Sequence, residues 1–149
     1  MTAPSTSRPS SVGRTLAAIG QVALGAGLLV AGTGHLTAQR EEFQAQVPAW
    51  FPADPDLVVV ASGVVELALG AALVSTWKQP ARAAVGATVA AFFVAVFPGN
   101  IAQYTGHVSA FGLDTDTKRG VRLLFQPALV ALALASTRAI GVWRERRAG

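Results

Sequence analysis

The chain has 149 residues, of which 52% are hydrophobic and only 13% charged. A typical soluble domain carries about 25% charged residues, so a small soluble enzyme, a disordered chain and a nucleic-acid reader are all poor fits, and an integral membrane protein is expected. The absence of cysteine removes disulfides, thiolate metal sites and cysteine nucleophiles together, and the net charge of +4 reads as basic loops beside a membrane, because the basic residues are scattered and lack a base-stacking platform.

Residues 1–14 are rich in Ser, Thr and Pro and read as a disordered cytoplasmic arm. Leu16 to Leu36 then runs without a charge, and 21 residues at about 1.5 Å each cross roughly one bilayer core. A cleaved signal peptide would need a shorter apolar core and a small-x-small site, which Leu36-Thr37-Ala38 does not supply. Residues 38–56 form a mixed loop with the aromatic pair Trp50-Phe51. Leu57 to Trp77 is a second span, interrupted only by Glu66, and Lys78 to Arg82 a basic turn. Ala83 to about Gln103 is a third span, with Pro98-Gly99 expected to kink it or end it early. Residues 104–121 read as a polar loop. Leu123 to Thr137 is a fourth, shorter span, with an extension to Trp143 as the alternative, and residues 144–149 are a basic tail.

The expected fold is therefore an all-α integral membrane four-helix bundle, with residues 15–143 as one membrane domain. The first, third and fifth polar segments carry eight Lys and Arg, and the second and fourth carry four beside six acids. That asymmetry predicts both termini in the cytoplasm, with Trp77 and Trp143 at the inner interface and Trp50-Phe51 at the outer one. Small residues recur every four positions at Ala23, Gly27 and Ala31, and again at Ala83, Ala87, Ala91, Ala95 and Gly99. Such stripes are expected to pack helix on helix, with a homo-oligomer face as the alternative use.

Polar residues inside the spans are the candidate site. Glu66 lies nine residues, about 13 Å, along its helix from Leu57, and an acid there costs at least about 2.5–3.5 kcal/mol on insertion scales. It must face the bundle interior, either as a hydrogen-bond hub or as a ligand or proton site. His35, Asn100, Arg122 and Gln126, with Gln103 as a weaker member, fall in the outer half of the other spans. In an up-down-up-down bundle they converge with Glu66 in one cavity, where an Arg122–Glu66 pair bridged by Gln126 is plausible. Phe92, Phe93, Phe97 and Phe125 are candidate walls, and the Trp50-Phe51 loop a cover. One His with one Glu is too little for a metal site. Asn100 is placed to bond the carbonyl of Val94 freed by Pro98, and Gln21, nearer the cytoplasm, is expected to bond between helices. No phosphate loop, HExxH, GxSxG or CxxC occurs, and no catalytic residue is assigned.

In order along the chain, GTGHL at 32–36, VPAWFP at 47–52, SGVVELALGAALV at 62–74, VFPGNIAQY at 96–104 and VRLLFQPALVALAL at 121–134 resemble the DoxX-like family of small bacterial membrane proteins. The resemblance covers roughly residues 15–140 and rests on the ordered set His35, Pro48, Pro52, Glu66, Pro98, Asn100, Arg122 and Gln126. This chain has Gly99 where that family commonly has Ala, and Leu124 where it often has Pro; neither touches the polar set. The resemblance implies a multi-pass inner-membrane bundle in a redox setting, since relatives are associated with a thiosulfate:quinone oxidoreductase or with oxidative-stress complexes. The expected function is binding of a quinone or similar amphipathic ligand in the outer-half pocket. The alternative is a non-catalytic subunit or assembly partner of a membrane redox complex.

Overall fold

The computed structural model describes residues 10–148. Among them the chain forms six helices and no strand: α1 (Ser11–Leu36), α2 (Arg40–Gln44), α3 (Pro55–Ser75), α4 (Ala81–Thr105), α5 (Asp116–Ser136) and α6 (Ala139–Ala148). Helices α1, α3, α4 and α5 are each long and apolar enough to cross a membrane, and the shortest, at 21 residues, spans roughly 31 Å. Only 22 to 28% of each span is buried within the chain. Val30, Val64, Val94 and Leu124 therefore face outward. Water would not tolerate four such faces on one small bundle, and lipid is the solvent that matches them. The chain has the architecture of a multi-pass membrane protein.

Helix starts are written in capping chemistry. Ser10 accepts from the Gly13 N–H, Asp54 accepts from Asp56 and Leu57 with Pro55 in the first turn, and Thr115 accepts from Lys118. The caps move two helix starts well away from those read by hydropathy. Helix α1 begins at Ser11, so Arg14 belongs to the helix; the rest of the expected arm, residues 1–9, lies outside the described residues. Helix α5 begins at Asp116, seven residues before Leu123, because Thr115 caps it and Arg119 pairs with Asp116 within its first turns. It stops at Ser136, and after a turn in which Arg138 has a φ of 59° the chain enters a separate helix, α6, that takes in most of the expected basic tail.

Helix α4 continues through Pro98 to Thr105 instead of ending near it. The proline removes one N–H, whereas stopping a helix leaves four carbonyls without helical partners. At membrane depth the first defect is the smaller one.

The bundle runs up-down-up-down, and α1 and α3 meet through glycines. Gly25 faces Gly70, and Gly32 faces Gly63, closely enough that a Cβ built on Gly32 falls 2.7 Å from the Gly63 carbonyl oxygen and one on Gly70 falls 2.8 Å from that of Gly25. The expected stripes do not make this contact. Ala23 and Gly27 are exposed, as are Ala87, Ala91 and Ala95, and no atom lies within 4 Å of a Cβ placed on Gly27. The reason is geometric. A four-residue repeat drifts about 40° per step around a helix of 3.6 residues per turn, while the seven-residue spacing of Gly25–Gly32 and Gly63–Gly70 drifts about 20°. Leu24, Leu28, Leu73, Val89, Ala90, Phe93 and Ala133 form the apolar core.

A polar lock closes the end of the bundle that carries the start of α1 and the end of α5, called here the proximal end. Gln21 Nε2 donates to the carbonyls of Leu73 (2.6 Å) and Thr76 (3.0 Å). Arg82 donates from Nε to Gln21 Oε1 (2.6 Å) and from Nη2 to the Ser136 carbonyl (2.7 Å). Two side chains thus serve terminal carbonyls of both α3 and α5, which their own helices leave without partners. Gln21 is the interhelical bond that its place in an apolar span suggested; its partner Arg82 was read only as loop charge. At this same end Arg82 lies over Trp77 and Arg147 over Trp143, 5.5 and 3.8 Å from the ring centroids, while Trp50 stands exposed at the opposite, distal end.

Candidate functional site at the distal end

Helix α1 ends level with the middle of α3, because Gly63 admits His35 against it: a Cβ on Gly63 would lie 2.6 Å from that of His35. His35 Nδ1 therefore comes 2.9 Å from Glu66 Oε2, with both side chains about nine-tenths buried. The same nitrogen is 2.9 Å from the carbonyl oxygen of Ala31. An Nδ1–H aimed at that carbonyl leaves Glu66 Oε2 at ion-pair distance but without a directed hydrogen bond of its own.

The short helix α2 covers this pair. Phe43 stacks on the His35 ring, with centroids 3.4 Å apart and planes at 16°, and Phe111 from the α4–α5 loop packs on Phe43 at 4.6 Å. The Phe111 N–H donates to Glu42 Oε2, so the two distal loops are tied directly over the pair. Helix α2 is fixed in turn to α3: Arg40 donates through Nε and Nη2 to the two carboxylate oxygens of Asp56, and Gln44 Nε2 donates to the first of them. The carboxylate beside it raises the Arg40 pKa above its ordinary value. Below Phe111, Arg119 is buried and bonds Asp116, the Val108 carbonyl and Ser109, and Lys118 holds Asp114 below the usual carboxylate range.

A second polar group joins α4 to α5. Asn100 Nδ2 donates to Gln126 Oε1 (2.9 Å), and Gln126 Nε2 donates to the Phe93 carbonyl (2.6 Å). Asn100 therefore serves Gln126 and not the freed Val94 carbonyl. One turn on, Gln103 Oε1 accepts from Gln46 Nε2 (3.3 Å).

The expected residues thus fall into two sets. His35 meets Glu66, Asn100 meets Gln126, and Arg122 lies within range of the Glu66 charge. Gln126 does not bridge Arg122 to Glu66, because both ends of its amide are already engaged on α4. Among the described residues, three side-chain atoms are buried with no hydrogen-bond partner: the acceptor Glu66 Oε2 and the donors Arg122 Nε and Gln103 Nε2. Each carries a cost of about 1–3 kcal/mol unless something satisfies it. The arrangement can accept one hydrogen bond and donate two, inside an apolar bundle.

The expected phenylalanine walls are dispersed. Phe93 is in the core and Phe125 faces outward, because the residue next to Gln126 points about 100° around the helix from its buried face. The loop with Trp50 instead makes a slot of about 380 Å³ against α4, lined by Pro48, Trp50, Pro98, Ile101 and Thr105, on the same turns whose inner face carries Asn100 and Gln103. Composition concealed the Phe43 and Phe111 cover, since both sit in loops that read as polar; the only signal was an aromatic residue directly after two acids in REEFQ. Among the described residues no group of three or more His, Asp or Glu is placed to hold a metal ion.

A family model described as "Domain of unknown function (DUF8561)" matches residues 24–137, which take in α3, α4 and α5 whole, the second half of α1, and all the residues of the distal centre. No curated protein and no solved structure matches the chain.

Proposed function

The chain belongs to the DUF8561 family, and from its distal centre we propose that this membrane bundle binds the polar head of a quinone or similar amphipathic ligand. One observation carries the reading: Glu66 Oε2, Arg122 Nε and Gln103 Nε2 are buried without a hydrogen-bond partner. A quinone carbonyl accepts hydrogen bonds, which suits Arg122 and Gln103. The hydroxyl of the reduced form donates one, which suits Glu66. His35 stands beside the Glu66 carboxylate at 2.9 Å, and Asn100 with Gln126 ties α4 to α5. The slot under Trp50 falls within the roughly 300–1,000 Å³ of ordinary ligand sites and lies where a lipid-soluble ligand would arrive. The resemblance to the DoxX-like family supports an inner-membrane, redox setting.

The test is a thermal shift of the purified chain in nanodiscs with short-chain ubiquinone and menaquinone analogues. A ligand at a hundred times its Kd stabilises by about 2.7 kcal/mol, a rise in Tm that is readily measured. We expect the rise to disappear in Arg122→Ala and His35→Ala while both variants still melt cooperatively. No rise with any analogue, or an equal rise in both variants, removes the reading. The alternative, a non-catalytic subunit or assembly partner of a membrane redox complex, draws on the outward row Ala87, Ala91 and Ala95, small residues that let another helix approach. Under it, a membrane protein co-purifies with the chain and is lost on Ala91→Trp.

The orientation that goes with this reading puts both termini in the cytoplasm. The chain has no cysteine, so single substitutions label without background. Ser10→Cys, Ser75→Cys and Gln79→Cys should react from the cytoplasmic side only, and Ala53→Cys and Ser109→Cys from the other. Reaction of Gln79→Cys and Ala53→Cys from the same face would contradict the proposed orientation and the crossing of α3 alike.

A further inference from the structure

A groove of about 860 Å³ runs along the outside of the bundle between α4, α5 and α6 and touches the distal centre only at Gln126. Its walls are apolar, among them Val94, Phe97, Val130 and Leu134, and its two ends are Gln126 and Arg138. From Gln126 to Ser136, the last residue of α5, is ten residues, about 15 Å, and Arg138 follows in the next turn. Gln126 lies near the middle of α5 and Arg138 just past its proximal end, so the groove occupies one leaflet of the membrane, whose hydrocarbon half is about 15 Å deep. It is as long as an acyl chain and oriented like one.

One cation, Arg138, lines the groove at the proximal end, and α6, which follows, carries Arg144, Arg146 and Arg147 against the acid Glu145. Arg138 reaches Glu145 only loosely, at 3.8 Å, and Arg82, a further cation at this end, is committed to the polar lock. We propose that this groove is a binding site for an anionic phospholipid of the proximal leaflet, with an acyl chain against α4 and α5 and the phosphate at Arg138 beside α6. A zwitterionic lipid would fill the same groove but would bring its own cation to a mouth that already has an excess of them. A basic recess between helices at the membrane surface is the kind of site that selects anionic headgroups.

The experiment is native mass spectrometry of the full chain released from detergent, offered equal amounts of phosphatidylglycerol and phosphatidylcholine. Wild type should retain phosphatidylglycerol about five-fold over phosphatidylcholine, the worth of one basic residue at an anionic membrane surface. Arg138→Gln should bring the two to parity with total lipid unchanged. Ala131→Trp, which fills the groove from an exposed position, should remove both. Gly141→Leu, at a groove position with no atom within 4 Å of a new Cβ, is the second filling variant if the first does not fold. Parity in wild type, or undiminished lipid in the filled variants, overturns the proposal. Glycerol 3-phosphate competing as well as the whole lipid overturns it in favour of a headgroup-only phosphate site. A dimer of the chain that dissociates on filling the groove overturns it in favour of a second copy as occupant.

Discussion

Gly32→Leu and Gly63→Leu are expected to be among the most damaging single substitutions in the chain. A Cβ on Gly32 would meet the Gly63 carbonyl oxygen at 2.7 Å, and one on Gly63 would meet the His35 Cβ at 2.6 Å. Neither neighbour is the free end of a flexible side chain, so the helices themselves must separate. Overpacking of a core typically costs about 1–3 kcal/mol, occasionally more. Here the whole α1–α3 contact is at stake, because close van der Waals approach is what holds helices together in lipid. Gly27→Leu is the matched control, since nothing lies within 4 Å of its Cβ. Thermal melts of the three variants in one detergent should show Gly27→Leu near wild type and the other two far below it. Equal melting of all three would mean that the glycine seam does not carry the packing. Gly63 has a second consequence, because it admits His35 to the level of Glu66. Even Gly63→Ala should weaken the quinone response proposed above.

The second large effect is expected at the proximal lock. Gln21→Leu leaves Arg82 Nε and the carbonyls of Leu73 and Thr76 without that partner, and Arg82→Leu leaves Gln21 Oε1 and the Ser136 carbonyl. With about 1–3 kcal/mol for each buried polar group left unsatisfied, each variant should lose several degrees of Tm. The double variant should lose less than the sum, with a coupling of about 0.5–3 kcal/mol. Additive losses would show that the two side chains act independently. Arg82→Lys is informative as well: an ammonium is a single point donor and cannot serve Gln21 and Ser136 in the fixed fork of a guanidinium, so it should rescue only in part.

Both predictions rest on contacts that local sequence patterns conceal, and the two halves of the distal centre show why. Glu66 was legible as a buried group because a charge in an apolar run has few places to go; the same argument holds for Gln21, Asn100 and Gln126. That they bond between helices follows from the cost of leaving a polar atom in hydrocarbon, whatever the fold. Which atom meets which does not follow. Gln126 was as well placed by spacing to bridge Arg122 as to bond Asn100, and only the packing of α5 on α4 decides for Asn100 and the Phe93 carbonyl.

Hydropathy alone determined that four helices cross a membrane and roughly where, because each apolar span must satisfy its backbone internally. It misplaced the ends of α1 and α5, where Ser10 and Thr115 start helices in polar sequence by capping chemistry that an apolar average does not detect. It also selected the wrong small residues. A four-residue stripe is conspicuous in a sequence, but a helix rotates it out of the contact, and Gly25, Gly32, Gly63 and Gly70 were chosen by the crossing of α1 and α3. The aromatic cover over His35 belongs to tertiary structure entirely. Phe43 and Phe111 lie 68 residues apart in loops that read as polar, and they meet because α1 stops short of α3 and leaves a space that only folded-back loops can fill.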